Sequence, residues 1–132
     1  LIDQDSLHTG MKACLDRGIG IIVGAPFASG ILATGSSGVT HYAYEKPDPS
    51  IIEKVRNIEN VCAEHNVSLQ AAALQFPMAH PSAVSIIPGA SKPDELIANV
   101  ASIDADIPPG FWDELVSKGL IVSDAPVPRG QV

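Results

Sequence analysis

The sequence predicts an α/β fold with parallel strands, of which this chain supplies only a part. The apolar run GIGIIVGAP (residues 18–26) fits a strand that is buried on both faces, and AVSII (residues 83–87) is predicted to be a second buried strand. Helical patterns precede, separate and follow these runs, and such alternation indicates βα units around a parallel sheet. Two complete strands cannot cover the predicted helices or satisfy their own edges. We therefore expect the chain to belong to a larger α/β structure.

The first elements of the chain are a strand end, a helix and a strand. Residues 1–4 (LIDQ) read as the end of a strand whose beginning is absent. Residues 5–17 place apolar side chains on one helical face, and Gly18 is suited to end that helix. Residues 28–47 contain three glycines and no sustained period, which predicts a long loop.

The second half of the chain carries clear helix signals. Asp48 and Pro49 form a typical helix start, and the apolar stripe that follows runs to Cys62. Ser68 is placed to cap the next helix. The remaining predicted helices cover residues 69–79, 93–102 and 109–118, and residues 120–132 form a proline-rich C-terminal tail.

Composition narrows the class of protein. A length of 132 residues suits one domain, 1–132, and the 45% hydrophobic content is typical of a globular chain. A net charge of −7 with scattered basic residues argues against a nucleic-acid partner, and no apolar run reaches the length of a membrane span. Cys14 and Cys62 lack disulfide or metal spacing, so we expect two free, buried thiols and a cytoplasmic protein.

Two strand-to-loop junctions are the candidate binding elements, because ligands of parallel α/β folds bind at the carboxyl ends of strands. In GAPFASG (residues 24–30), small residues allow close backbone approach, and Ser29 and Gly30 offer a hydroxyl and free amides. In PGAS (residues 88–91), a helix start follows, whose N–H groups favour an anion. The pair favours a phosphate-bearing ligand. On spacing alone, glycine and proline that merely punctuate turns remain an equal alternative.

Three stretches resemble one known family: RGIGIIVGAPFASGIL, AALQFPMAHPSAVSIIPGASKPDELIANV and GLIVSDAP. They are similar to the C-terminal part of an aldo-keto reductase, in the branch of NAD(P)-dependent sugar and pyridoxal dehydrogenases. The resemblance implies a (β/α)₈ TIM barrel. This chain would supply the end of strand six, strands seven and eight, their helices, and an extra helix at residues 109–118.

The resemblance also implies a cofactor cradle. The loop after strand seven would hold the dinucleotide pyrophosphate through Ala25, Pro26, Phe27, Ser29 and Gly30. The strand-eight loop and its helix would hold the adenosine end through Pro88, Gly89, Ala90, Ser91, Lys92, Glu95 and Asn99. Gly89 and Glu95 stand where many NADP-using members have Lys and Arg, so we expect NAD, with NADP possible. Gly24 stands where many members have a tyrosine that stacks on the nicotinamide.

The function implied by the resemblance is hydride transfer between a nicotinamide and an aldehyde, alcohol or sugar lactol carbon. The catalytic Asp, Tyr, Lys and His of the family lie on earlier strands, so we assign no catalytic residue in this chain. His41, Tyr42 and Tyr44 are interpreted as lid aromatics, on a mobile cover formed by residues 34–47. The partner would be the missing N-terminal barrel half or a self-associated copy. The alternative is a non-catalytic remnant or assembly subunit that binds a partner chain or a nucleotide without chemistry.

Overall fold

A two-stranded parallel sheet lies at the centre of the molecule, which we describe from a computed structural model for residues 1–38, 42 and 45–128. Strand β1 (Ile21–Gly24) pairs with strand β2 (Ala83–Ile87), so that Ile22 lies opposite Ser85. The parallel pairing confirms the α/β class predicted from the sequence. Leu1–Gln4 takes no part in the sheet of the described residues, and the strand end predicted there is not formed.

Six α-helices are found in the described residues. They are α1 (Gly10–Asp16), α2 (Ile31–Thr34), α3 (Pro49–Glu64), α4 (Leu69–Met78), α5 (Pro93–Ile103) and α6 (Pro109–Ser117). Asp48 caps α3 by accepting from the Ser50 amide at 2.8 Å, and Ser68 caps α4 by accepting from the Ala71 amide at 3.0 Å. Both predicted helix starts are therefore confirmed, because each depends on residues only two or three positions apart.

Two local predictions differ from the structure. The single helix predicted for residues 5–17 is divided at Thr9, whose backbone leaves the helical region (φ −117°, ψ −97°), into a 3₁₀ turn (Asp5–His8) and α1. The predicted loop at residues 28–47 begins with a 3₁₀ turn (Ala28–Gly30) and α2. Helix α2 forms because its first two residues, Ile31 and Leu32, are fully buried, whereas four residues are too few to show a helical period.

The main hydrophobic core lies between α3, α4 and α6. Trp112 and Phe111 of α6 are fully buried and meet edge to face, with ring centroids 4.8 Å apart, while Phe76 of α4 stacks on Trp112. Leu120 and Ile121 join this core, so the first two residues of the predicted tail are packed rather than free. Helix α6 is thereby fixed to the two helices that precede β2 in the chain.

One side of the sheet is exposed, contrary to the prediction that GIGIIVGAP forms a strand buried on both faces and that AVSII is a buried strand. Ile21 and Val23 are partly buried, but Ile22 of β1 is 61% exposed, and Val84 and Ile87 of β2 are 63% and 60% exposed. Helix α5 similarly exposes a stripe of Leu96, Ile97 and Val100. The described residues therefore leave part of the apolar side-chain surface of both strands uncovered.

The N-terminal segment is held by polar contacts instead of a strand ladder. Gln4 donates to the Leu120 carbonyl at 3.1 Å and accepts from the Val122 amide at 2.8 Å. Of the two thiols, Cys62 is buried as expected, but Cys14 is only partly buried. No helix among the described residues is long and apolar enough to span a membrane.

Candidate dinucleotide site

The loop after β1 is conformationally strained. Ala25, Ala28 and Ser29 have positive φ angles of 50°, 49° and 61°, and Gly30 follows at 99°. A left-handed conformation costs a residue other than glycine roughly 1–2 kcal/mol. Such strain is typical of functional segments, where the surrounding structure fixes a backbone that the residues would not choose.

Internal hydrogen bonds hold this loop. The Ala28 amide donates to the Ala25 carbonyl, and the Gly30 amide donates to the Phe27 carbonyl, each at 3.0 Å. The expectation of a free amide at Gly30 is therefore wrong, because the turn itself uses that donor. From α4, the Gln70 side chain donates to the Ala33 carbonyl at 3.2 Å, which fixes α2 and the loop that leads into it.

The loop after β2 is fixed from α5. Asn99 is buried, and its side-chain amide donates to the Gly89 carbonyl at 3.2 Å. The Glu95 carboxylate reaches back and accepts from Ser91 twice, from the backbone amide at 2.6 Å and from the hydroxyl at 3.0 Å. These two hydrogen bonds hold the pKa of the Glu95 carboxyl below its usual value.

This arrangement corrects the prediction of an open anion site at the start of α5. The Ser91 amide is already satisfied by Glu95, and Pro93 carries no N–H. The anion at this helix terminus is thus the protein's own carboxylate. A second anion would have to displace Glu95 or approach it against charge repulsion.

The two loops face each other across one cavity of about 470 Å³, which we call the loop cavity. Its wall includes all five residues predicted in the first loop: Ala25, Pro26, Phe27, Ser29 and Gly30. From the second loop and α5 it includes three predicted residues: Gly89, Glu95 and Asn99. The predicted residues Pro88, Ala90, Ser91 and Lys92 do not line it.

Ala28, one of the small residues of GAPFASG, also lines this wall, and four further residues were not predicted as site residues, namely Ala33, Thr34, Gln70 and Ala98. A signal existed for one of them, since Gln70 is a polar residue in an otherwise apolar helix start. The position of Thr34 in this wall is known only from the structure, because Thr34 lies in α2, which was not predicted from the sequence. Its hydroxyl donates to the Gly30 carbonyl at 3.1 Å.

Three glycines at this edge leave open space for a ligand. A Cβ added to Gly24, Gly30 or Gly89 would meet no atom within 4 Å. Gly30 and Gly89 lie in the wall of the loop cavity, on opposite loops. The small side chains of the first loop and the missing Cβ atoms together give a cradle wide enough for an extended polar ligand.

The predicted cover is described only in part. His41 and Tyr44 lie outside the described residues, so their predicted lid role has no structural account. Tyr42 forms an antiparallel bridge with Glu45 and packs against the buried cluster that contains Leu32, and burial raises the pKa of its phenol. Gly35, within the predicted cover, is buried, and the next residue, Ser36, is hydrogen-bonded to Glu59 of α3.

The other histidines are engaged away from the loop cavity. His65 Nε2 lies 2.7 Å from Glu114 Oε2, in a bridge from the end of α3 to α6. His80 is buried beside Ser82, just before β2. Among the residues with described positions, no three His, Cys, Asp or Glu side chains lie close enough together to hold a metal ion.

Comparison with known proteins gives one family. The family model described as "Aldo/keto reductase family" matches residues 6–119. The chain is similar to pyridoxal 4-dehydrogenase of Microbacterium luteolum, with 35% identity over 92% of the chain and 35% of the relative. It is also similar to D-threo-aldose 1-dehydrogenase of a Pseudomonas species, with 31% identity over 92% of the chain and 37% of the relative. The chain thus spans about a third of the length of these curated relatives.

Proposed function

We propose, from the premise that this chain belongs to the aldo/keto reductase family, that it is the dinucleotide-binding part of a nicotinamide-dependent oxidoreductase. The observation that carries this proposal is the loop cavity, in which the ends of two neighbouring parallel strands present a strained loop and a helix start to one space. Ligands of parallel α/β folds bind at this edge. In the barrel that the family adopts, β1 and β2 would be strands seven and eight.

The residues divide by the part of the cofactor that they suit. Ser29 and its strained neighbours in the first loop would lie against the pyrophosphate, where a hydroxyl and close backbone approach are useful. Glu95 and Asn99 would face the adenosine ribose, because a carboxylate accepts hydrogen bonds from ribose hydroxyls. When bound, the cofactor supplies or takes up a hydride at an aldehyde, alcohol or sugar lactol carbon.

The cofactor that fits this wall is NAD. A 2′-phosphate would bring further negative charge beside Glu95, whose carboxyl is held ionised by the Ser91 hydrogen bonds. Lys92 lies next to the same turn but does not line the loop cavity, so it compensates poorly. The proton donor for the reaction would be a tyrosine carried by another part of the barrel.

Cofactor titration tests the proposal. NAD and NADP are titrated into the chain by calorimetry, and we expect NAD to bind more tightly. Glu95→Arg should shift the preference towards NADP. The matched control is Asp94→Arg, which makes the same charge change one residue earlier, outside the cavity wall. Absence of any dinucleotide binding would contradict the proposed function, and a preference that follows Asp94→Arg equally would contradict the role of Glu95.

A second candidate function is favoured by the exposed apolar surface. The stripe on α5 and the exposed side chains of β1 and β2 would suit a subunit that assembles with another chain without performing chemistry. The two functions are separated by turnover: NAD-dependent oxidation of an aldose, measured with the remainder of the barrel present, supports the enzyme, and assembly without turnover supports the alternative.

A further inference from the structure

A second cavity, which we call the apolar cavity, lies on the helix-covered side of the sheet. It has a volume of about 510 Å³, within the range of small-molecule pockets. Met11 and Cys14 of α1 line one wall, Val23 of β1 lies across from them, and Phe76 of α4 contributes to a further wall. No lysine or arginine side chain lies in the part of the wall formed by described residues, and Asp3 does, so an anionic ligand is disfavoured there.

Two buried polar side chains, Gln4 and His80, lie in this wall, and Ser6 and Tyr42, which carry hydroxyl groups, also line it. The side-chain amide of Gln4 is already hydrogen-bonded to Leu1, Leu120 and Val122. His80 is 6% exposed and lines the cavity. The Ser82 amide donates to His80 Nδ1 at 3.2 Å, and the Ser82 hydroxyl lies 2.7 Å from the same nitrogen. Since an amide can only donate, Nδ1 is the acceptor, and the proton of the neutral ring is on Nε2. None of the described residues forms a hydrogen bond with Nε2, which leaves one fixed donor for a ligand.

We propose that the apolar cavity binds a small uncharged ligand that is apolar over most of its surface and carries one hydrogen-bond acceptor for His80. The aromatic and aliphatic wall provides the apolar contact area, and the tautomer fixed by Ser82 provides the selectivity for an acceptor. The site is distinct from the loop cavity, although Ala25, Pro26 and Ala28 lie in the walls of both cavities. Its test therefore needs no cofactor.

The cavity contains its own reporter, the Cys14 thiol. The chain has two cysteines. Cys62 is 4% exposed, and burial raises the pKa of its thiol to about 12, so it reacts slowly with alkylating agents. N-ethylmaleimide should therefore alkylate the folded chain at Cys14, and peptide masses identify the alkylated residue. A ligand in the cavity should slow this reaction.

The experiment compares acetophenone with ethylbenzene, which has the same ring and a similar length but no acceptor. We expect both to slow Cys14 alkylation, with acetophenone binding about fivefold more tightly, the usual effect of one buried hydrogen bond. His80→Phe should abolish the difference between the two probes. The positional control is Cys14→Ala combined with Leu15→Cys, which moves the thiol to a neighbouring position that is 44% exposed and outside the wall.

The outcomes decide each part of the inference. If neither probe slows alkylation at saturating concentration, the cavity does not bind such ligands. If both bind equally to the unaltered protein, His80 is not the donor, and this comparison stands even where His80→Phe fails to fold. If the thiol moved to position 15 is protected as strongly as Cys14, binding is not in this cavity and the inference is overturned.

Discussion

Replacement of Gly35 by alanine should destabilise the fold through two separable effects. Gly35 is buried and has a φ of +82° with a ψ of 176°, a backbone region that is essentially limited to glycine. An added Cβ would also overlap Glu59 Oε1. That carboxylate accepts from the Ser36 amide at 3.2 Å and from the Ser36 hydroxyl at 2.5 Å, which ties the segment after α2 to α3.

The magnitude follows from adding the two effects. This backbone conformation costs alanine roughly 1–3 kcal/mol relative to glycine. The Glu59 side chain can move away from the methyl group, but it then loses hydrogen bonds that a charged acceptor makes, together worth about 2–3 kcal/mol at this partly buried site. We expect Gly35→Ala to lower the free energy of unfolding by about 3–6 kcal/mol. In a Glu59→Ala background, where only the backbone effect remains, we expect about 1–3 kcal/mol.

Urea unfolding followed by the fluorescence of Trp112, the single tryptophan of the chain and a fully buried one, measures both values. Gly110→Ala is the control, because its φ is ordinary and its added Cβ would lie 3.6 Å from His65 Cε1, a normal contact. We expect that control to change stability by roughly 0.5 kcal/mol or less. An equal cost of Gly35→Ala with and without Glu59 would refute the role of the carboxylate.

Three other predictions concern pH, assembly and exchange. Hydrogen bonds from Lys118 and, to a smaller extent, from His65 lower the pKa of the Glu114 carboxyl from the usual 4.5 to about 2. Ionised Glu114 therefore stabilises the fold fully above pH 4.5, and this contribution is lost as the pH falls towards 2. Glu114→Gln should flatten the pH dependence of stability to urea between these pH values, and Asp113→Asn should not. The chain alone should self-associate and show no NAD-dependent oxidation of an aldose. Light scattering should find oligomers that Ile97→Lys shifts towards monomer, whereas Asn57→Lys, the same charge change at an exposed position of α3, should not. A monodisperse unaltered monomer would contradict this. Amide exchange at residues 34–38 should slow when NAD is added, because Thr34 lines the loop cavity; unchanged exchange would count against the proposed cover.

Local signals in the sequence predicted local structure well. The starts of α3 and α4 were predicted from Asp48 and Ser68, since a cap and its amide lie within one turn. The stops at Gly18 and Gly119 were likewise visible, and both glycines have a φ of +67°. The Ser91–Glu95 contact spans only four residues and could have been predicted as well.

Features that depend on distant residues could not be predicted. Helix α2 depends on such contacts, because Ile31 and Leu32 are buried in the folded chain and the hydrogen bond from Gln70 to the Ala33 carbonyl joins residues 37 positions apart. Burial was overestimated at β1 and β2. An apolar, β-branched run indicates that a strand is suited to a buried position, but it does not show whether the described residues include the neighbours that would cover it. The positive φ angles of Ala28 and Ser29 have no residue signature, as neither is the glycine that such angles favour.

If the chain has the proposed function, the difference between its supported loops and its exposed sheet would make cofactor binding separable from catalysis. Both loops of the loop cavity are fixed by helices of this chain, the first through Gln70 of α4 and the second through Asn99 of α5. The exposed side chains of the sheet, such as Ile22 and Val84, have no comparable support among the described residues. Since the cavity depends on the first set of contacts and not on the second, covering the sheet should change the assembly state and the access of substrate more than the affinity for NAD. Cofactor affinity of the chain and of the complete barrel should therefore agree far better than their turnover.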